Sequence, residues 1–161
     1  MSSAENCRVP VIVAIHGYCL GAGVDLASAC DIRLATKDSK LAIRETDVGM
    51  VADFGTLQRF GKKVGNESWF RELSYTGRMF TPQEAKKHGF ISQIFESKEA
   101  LFEGAEKLAK IIAAKSPVAT VGTKLTMNYS IDHSVEDGLT QVKTMNTALL
   151  QVNPYLLTTS V

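Results

Sequence analysis

The stretch PVIVAIHGYCLGAGVDLASACDIRLATKDSKLAIRETDVGMVADFGTLQR, Pro10 to Arg59, decides the fold. Pro10 to Ile15 is a short apolar, β-branched run of the kind that forms a buried strand. Gly17, Gly21 and Gly23 then punctuate a turn into an apolar helical stretch, Val24 to Ala29. A strand, a tight turn and a helix start therefore follow in order. The first N–H groups of a helix have no intrahelical acceptor and sit at the positive end of its dipole, so the amides near Ala22 and Gly23 are placed to meet an anion. Asp25, Glu45 and Asp53 are arranged along the same stretch. Several carboxylates beside one backbone donor site suggest proton-transfer chemistry. A Gly-x-Gly turn by itself also fits any strand-to-helix connection, and Asp25 by itself also fits a solvated first-turn acid stabilised by the dipole.

Outward from this segment, Asp31 to Thr36 alternates and Leu41 to Ile43 is short and apolar, which reads as two further strands of a small mixed sheet. Glu45 and Asp53 fall on the Arg44 to Phe54 connection, where a loop leaving a rigid sheet commonly carries functional groups. Asn66 caps a helix to about Tyr75, on which Trp69, Phe70 and Leu73 have core-like spacing. Thr81-Pro82-Gln83-Glu84 combines an N-cap, a first-turn proline and a capping-box glutamate before a helix that stops at Gly89. Ile91 to Phe95 is a brief strand. From Ser97 the pattern is helical, with Leu101, Ala105, Leu108 and Ile112 on one face. Ser116-Pro117 and Ser134 with Asp137 start two more helices. The chain divides into an α/β core over 1–95, with the turn and the acidic loop, and a helical region over 96–161.

Composition narrows the function. With 161 residues, 45% hydrophobic and 22% charged, the chain is long enough for one globular core. A formal net charge of +1 without runs of like charge leaves no electrostatic footprint for nucleic acid. No apolar run approaches the ~20 residues of a membrane helix, and Met1 to Pro10 is too short and polar for a signal peptide. Cys7, Cys19 and Cys30 lack metal-ligand spacing, so reduced, buried thiols are expected and no metal. The terminal Thr159-Ser160-Val161 is not a peroxisomal Ser-Lys-Leu signal. Consecutive Asp132, His133 and Ser134 cannot converge as nucleophile, base and orienter, and Ser134 reads as a cap. His16 and His88 lack a context that demands a base and read as structural.

The segment HGYCLGAGVDLASACDIRLAT, His16 to Thr36, resembles the crotonase (enoyl-CoA hydratase/isomerase) superfamily, in which an apolar strand runs through a glycine-rich turn and helix into a Cys-Asp-Ile-Arg-like strand. RETDVGMVADFGTLQRFGKKVGN, Arg44 to Asn66, is similar to the Δ3,5-Δ2,4-dienoyl-CoA isomerases within it. Their distinguishing acidic triplet has the spacings of Asp25, Glu45 and Asp53, 20 and 8 residues. Hydratases tend instead to carry Pro-Glu at Arg44-Glu45 and a Pro-Gly-Ala-Gly-Gly type segment at Val51 to Gly55, so Asp53 discriminates. The resemblance continues through Ser116-Pro117-Val118-Ala119, Thr123-Lys124 and Asp132-His133-Ser134. It departs in two places: the turn reads Gly21-Ala22-Gly23 where the family often has three glycines, and the chain begins where the family is well under way.

The resemblance implies a ClpP/crotonase-like α/β fold, N-terminally truncated, followed by a C-terminal helical trimerisation region. It implies isomerisation of 3,5-dienoyl-CoA to 2,4-dienoyl-CoA in unsaturated fatty acid β-oxidation, in a mitochondrion or peroxisome, by a homotrimer or homohexamer. Glu45 would serve as base at C2 and Asp53 as acid at C6, or the two in the reverse order, and Asp25 would support them. The Ala22 N–H, flanked by Gly21 and Gly23, would bind the thioester oxygen of the acyl-CoA substrate. Coenzyme A is part of that substrate, and no separate cofactor is implied. Asp53 must then hold a proton at neutral pH, so an apolar pocket is expected, formed partly by Met50, Val51 and Phe54. Two alternatives stand beside this: an enoyl-CoA hydratase in which Asp25 and Glu45 activate water, and a truncated, non-catalytic crotonase subunit that assembles with partners or binds acyl-CoA.

Overall fold

A computed structural model describes residues 2–152, with side chains through 148. The reading of Thr159-Ser160-Val161 lies outside the described residues. Two separate sets of parallel strands, and not the one mixed sheet expected, organise the first part. β1 (Ile12–Ile15) pairs with β3 (Ile32–Thr36), and β3 pairs with β5 (Gln93–Phe95), giving the order β1-β3-β5. β2 (Tyr18–Leu20) pairs with β4 (Lys40–Ala42) in a separate two-stranded sheet. Parallel pairing needs a long crossover, and one helix, α1 (Ala22–Ala29), supplies it for both pairs. The chain therefore repeats the same turn, from β1 to β2 and again from β3 to β4.

Polar side chains fasten the two corners of that repeat. The Ser39 hydroxyl donates to Ile15 O (3.1 Å) and lies 2.8 Å from Thr36 Oγ1, which in turn lies 3.2 Å from His16 Nδ1. Lys40 N donates to Gly17 O (2.8 Å), and Gly17 sits at φ +75°, the left-handed region a glycine adopts without penalty. His16 is thus a structural hydrogen-bonding group, as expected. β2 is absent from the sequence-based expectation, because three residues between two glycines read as turn.

Four short helices follow: α2 (Thr56–Arg59), α3 (Glu67–Thr76) and α4 (Pro82–Lys87) precede β5, and α5 (Lys98–Ala113) comes after it. The expected caps form: Asn66 Oδ1 accepts from Trp69 N (2.9 Å) and Thr81 Oγ1 from Glu84 N (3.2 Å). Phe60 is fully buried at the centre of the core, with ring centroids 4.2 Å from Phe90, 5.2 Å from Phe70 and 5.7 Å from Trp69. Leu41, Leu73 and Phe80 complete the cluster. His88 stacks on Trp69 at 4.4 Å, which gives it a packing role.

Two compact units emerge. One holds the residues to Cys7 and Val11–Ala109; the other holds Arg8–Pro10 and the residues from Lys110 onward. The second contains α6 (Pro117–Tyr129) and α7 (Val135–Val152). Ser116 Oγ caps α6 through Ala119 N (3.4 Å), and Ser134 and Asp137 form a reciprocal box: Asp137 N donates to Ser134 Oγ (3.1 Å), Ser134 N to Asp137 Oδ2 (3.3 Å). Lys124 is buried and donates to Val9 O (3.1 Å). Val118, Leu125, Met127, Val135 and Leu139 of these helices are exposed.

Candidate active site

The site is built around the first turn of α1. Gly21 caps the helix at φ +49°, donates its N–H to Ala42 O (2.9 Å), and accepts from Val24 N (2.7 Å) and Asp25 N (3.2 Å). Ala22 and Gly23 fall in the first turn, where N–H groups have no acceptor within the helix. A Cβ on Gly23 would lie 3.3 Å from Cys19 Sγ, so a bulkier residue there would press on a buried thiol. Burial pushes that thiol up to about 12, which keeps Cys19 protonated and unreactive. Cys7, Cys19 and Cys30 form no disulfide.

Glu45 meets this turn directly. A Cβ built on Gly21 would lie 3.0 Å from Glu45 Oε1, so glycine is required there both for its φ and for the space the carboxylate fills. Glu45 opens a 3₁₀ turn, Glu45–Val48, that follows β4 and closes on Gly49 at φ +72°; Met50 N donates back to Glu45 O (2.9 Å). Thr46 Oγ1 donates to Ser74 O (3.3 Å), the Asp47 carboxylate occupies the space where Gly77 lacks a side chain, and Arg44 pairs with Asp47 at 2.6 Å. These contacts hold the turn against the end of α3, and the negative charge of Glu45 sits where the α1 dipole favours it. Glu45 Oε2 is buried without a hydrogen-bond partner among the described residues.

Asp25 is 1% exposed, which excludes the solvated first-turn acid. It lies one helical turn beyond Gly21, on the same face, because residues four apart are neighbours on a helix. Its Oδ1 accepts from Thr56 N at 2.6 Å, while Oδ2 and Thr56 Oγ1 are buried and have no partner among the described residues. No cation pairs with Asp25 or Glu45 among the described residues. Two acids and the first amides of α1 are thus gathered at one helix end.

Asp53 is placed differently. It is exposed, and Met50, Val51 and Phe54 are 53%, 73% and 56% exposed. The expected apolar pocket around Asp53 is not closed by the described residues: Met50, Val51 and Phe54 lie exposed on a stretch without regular structure, while Ala52 between them is buried. Asp53 is tied to the site through the backbone, three residues before Thr56, a span of at most ~11 Å. Thr56 is the residue that sequence reasoning missed. Its signal is faint: Gly55, at φ +118°, ends the loop and starts α2.

Elsewhere, His133 Nδ1 faces Tyr129 O and Asp132 Oδ1, both at 2.7 Å, and the ring stacks on Tyr129 at 3.6 Å, so the Asp132-His133-Ser134 run is a helix end and a cap. Among the described residues no cluster of His, Cys, Asp or Glu has a metal-binding arrangement, and no helix is long and apolar enough to cross a membrane.

Comparison with known proteins places this geometry in a family. The profile of the Enoyl-CoA hydratase/isomerase family matches residues 1–154. A "Delta(3,5)-Delta(2,4)-dienoyl-CoA isomerase, mitochondrial" of Mus musculus is 48% identical over 147 residues, 91% of this chain and 45% of that protein. The peroxisomal protein of the same name from Arabidopsis thaliana is 47% identical over 150 residues, 93% of this chain and 54% of that protein. The chain spans about half the length of the curated relatives it matches. Among solved structures, an enoyl-CoA hydratase from Bacillus anthracis superposes with a TM-score of 0.89 at 31% identity, covering 95% of this chain and 58% of that one. The short parallel strands and C-terminal helices form a crotonase-like α/β fold, and the chain belongs to the enoyl-CoA hydratase/isomerase family.

Proposed function

We propose that this chain carries the proton-transfer machinery of a Δ3,5-Δ2,4-dienoyl-CoA isomerase. The observation that carries the reading is the Glu45 carboxylate lying against Gly21 at the mouth of α1. The relatives of that name, at 47–48% identity, support it. A thioester carbonyl acidifies the C2 hydrogens, but the enolate forms readily only when preorganised donors hold its oxygen. The Ala22 N–H is one such donor. Glu45 removes a proton from C2, the electrons delocalise along the diene, and Asp53 delivers a proton at C6. Two carboxylates are used because the two carbons stand at opposite ends of the dienolate. Asp25 supports them. The acyl-CoA thioester is the substrate, a homotrimer or homohexamer the assembly, and a mitochondrion or peroxisome the compartment, within unsaturated fatty acid β-oxidation.

The test is a spectroscopic assay for the conjugated 2,4-product formed from a 3,5-dienoyl-CoA. In a full-length context Asp53→Asn should lower turnover by ~10²–10⁴-fold with acyl-CoA binding largely kept. Near-wild-type isomerisation by Asp53→Asn would sink the assignment. The two unpartnered oxygens, Asp25 Oδ2 and Glu45 Oε2, favour one second reading, an enoyl-CoA hydratase holding water between them. Water addition to a 2-enoyl-CoA, in the absence of dienoyl isomerisation, would establish it instead. The exposed apolar side chains of α6 and α7 suit association between copies, and sedimentation of a compact monomer at micromolar concentration would count against the trimer.

A further inference from the structure

Asp53 lies on an exposed loop, yet proton transfer at a fixed carbon demands a fixed carboxylate. Residues 54–56, immediately after it, are gripped from two sides. On one side, buried Asp25 Oδ1 accepts from Thr56 N at 2.6 Å, across 31 residues of sequence. On the other, Arg59 Nη1 donates to Phe54 O at 3.1 Å, and the guanidinium fills the space beside Gly55, where an added Cβ would fall 1.8 Å from Nη1. Arg59 is anchored in turn. Its Nε and Nη2 donate to Glu5 Oε2 at 2.9 and 2.8 Å, and Nη2 also reaches Ser2 Oγ at 2.8 Å. The ion pair is mostly shielded from solvent on the Arg59 side, where 16% of the side chain is exposed.

We propose that Asp25, Thr56 and Arg59 form a clamp on residues 54–56 that positions Asp53, with Asp25 acting as the acceptor of the Thr56 amide and not on the substrate. The inference deepens the isomerase reading and rests on it for the role of Asp53. Three features carry it. The only hydrogen bond of the Asp25 side chain among the described residues is from the Thr56 amide. Gly55 has a backbone, φ +118°, that other residues rarely adopt, so the loop has one way to enter α2. Arg59 binds the carbonyl of the residue next to Asp53 while being held by a different part of the chain. Thr56 and Arg59 are positioning residues: neither need touch substrate.

A clamp and a proton carrier respond differently to asparagine. Asparagine keeps a carbonyl oxygen that accepts from Thr56 N and loses the charge and the titrating group; alanine loses both. The expected result in the isomerase assay is that Asp25→Ala and Arg59→Gln lose ~100-fold in kcat with KM little changed, the cost of a misplaced group, and that Asp25→Asn loses at least ~10-fold less than Asp25→Ala. The pH profile of Asp25→Asn should match wild type, because no titrating group of the reaction has been removed. A structural readout runs in parallel on the 161-residue chain without substrate. Exchange of the Thr56 amide, followed by NMR, should be slow in wild type and Asp25→Asn and at least ~10-fold faster in Asp25→Ala.

Asp25→Asn as inactive as Asp25→Ala, or a Thr56 amide indifferent to Asp25, overturns the clamp. If Asp25→Ala does not fold, Arg59→Gln decides: unchanged exchange across residues 54–56 together with unchanged kcat overturns it. A wild-type protein that protects the Thr56 amide yet never isomerises a 3,5-dienoyl-CoA defeats the functional reading and leaves the clamp as a structural device.

Discussion

Two regions of the same unit treat a carboxylate in opposite ways. Glu84, at the start of α4, is saturated: Oε1 accepts from Trp69 Nε1 (2.7 Å) and Arg78 Nη2 (2.5 Å), and Oε2 from Arg78 Nη1 (3.2 Å). Arg78 is shared with Glu72, at 2.6 Å. At the first turn of α1, Asp25 and Glu45 have no cation among the described residues, and each keeps one buried oxygen without a partner. Buried polar atoms are nearly always satisfied in folded proteins, so an exception asks for a reason. Glu84 ties Trp69 and Arg78 to α4, whereas Asp25 and Glu45 each keep a buried oxygen that no described residue satisfies. The difference separates a saturated carboxylate from two unsaturated ones without reference to any relative.

The largest effect that could break this contrast is on turnover. Glu45→Gln should reduce 3,5-dienoyl-CoA isomerisation by ~10²–10⁴-fold while shifting the urea midpoint little, since an oxygen without a partner contributes nothing to lose. A Glu45→Gln protein that is strongly destabilised and still active would place Glu45 with Glu84.

A smaller effect concerns the glycine that admits Glu45. Gly21→Ala adds a Cβ 3.0 Å from Oε1 at φ +49°, so we expect a stability loss of ~1–3 kcal/mol together with a drop in turnover, because relief of the contact moves the carboxylate. Denaturant unfolding and the isomerase assay on one preparation read both. Loss of stability with full activity would show that Glu45 works from a position away from Gly21.

Much of this was legible from the residues. The strands at Pro10–Ile15, Asp31–Thr36 and Leu41–Ile43 fall within two residues of β1, β3 and β4. The caps at Asn66, Thr81, Ser116 and Ser134 form as read, because capping is local chemistry. The Asp25–Thr56 contact was not legible, since it joins groups 31 residues apart and one of them is a backbone amide. The surroundings of Asp53 were not legible for a related reason. Met50, Val51 and Phe54 are apolar, but whether apolar residues close into a pocket depends on what packs over them, and composition does not state that.

The smallest expected effect is a pH dependence at Glu84, the control arm of the contrast. Hydrogen bonds from Arg78 chiefly, and from Trp69, hold its carboxyl below the ordinary range. A folded value lower than the unfolded one means stabilisation that is fully present above the unfolded pKa of ~4.3 and is lost as pH falls through the folded value. Glu84→Gln should therefore be less stable than wild type at pH 7, by about 0.5–1 kcal/mol given the partial exposure of the pair. That difference should shrink as the medium is acidified below the unfolded value. Isomerisation should be the same in both proteins. Trp69, which donates to Glu84, reports on the region by fluorescence. A stability difference between wild type and Glu84→Gln that is unaltered from pH 7 down to strongly acidic solution would mean that the ion pair is not its source, and the distinction drawn between a saturated and an unsaturated carboxylate would then rest on Asp25 and Glu45 alone.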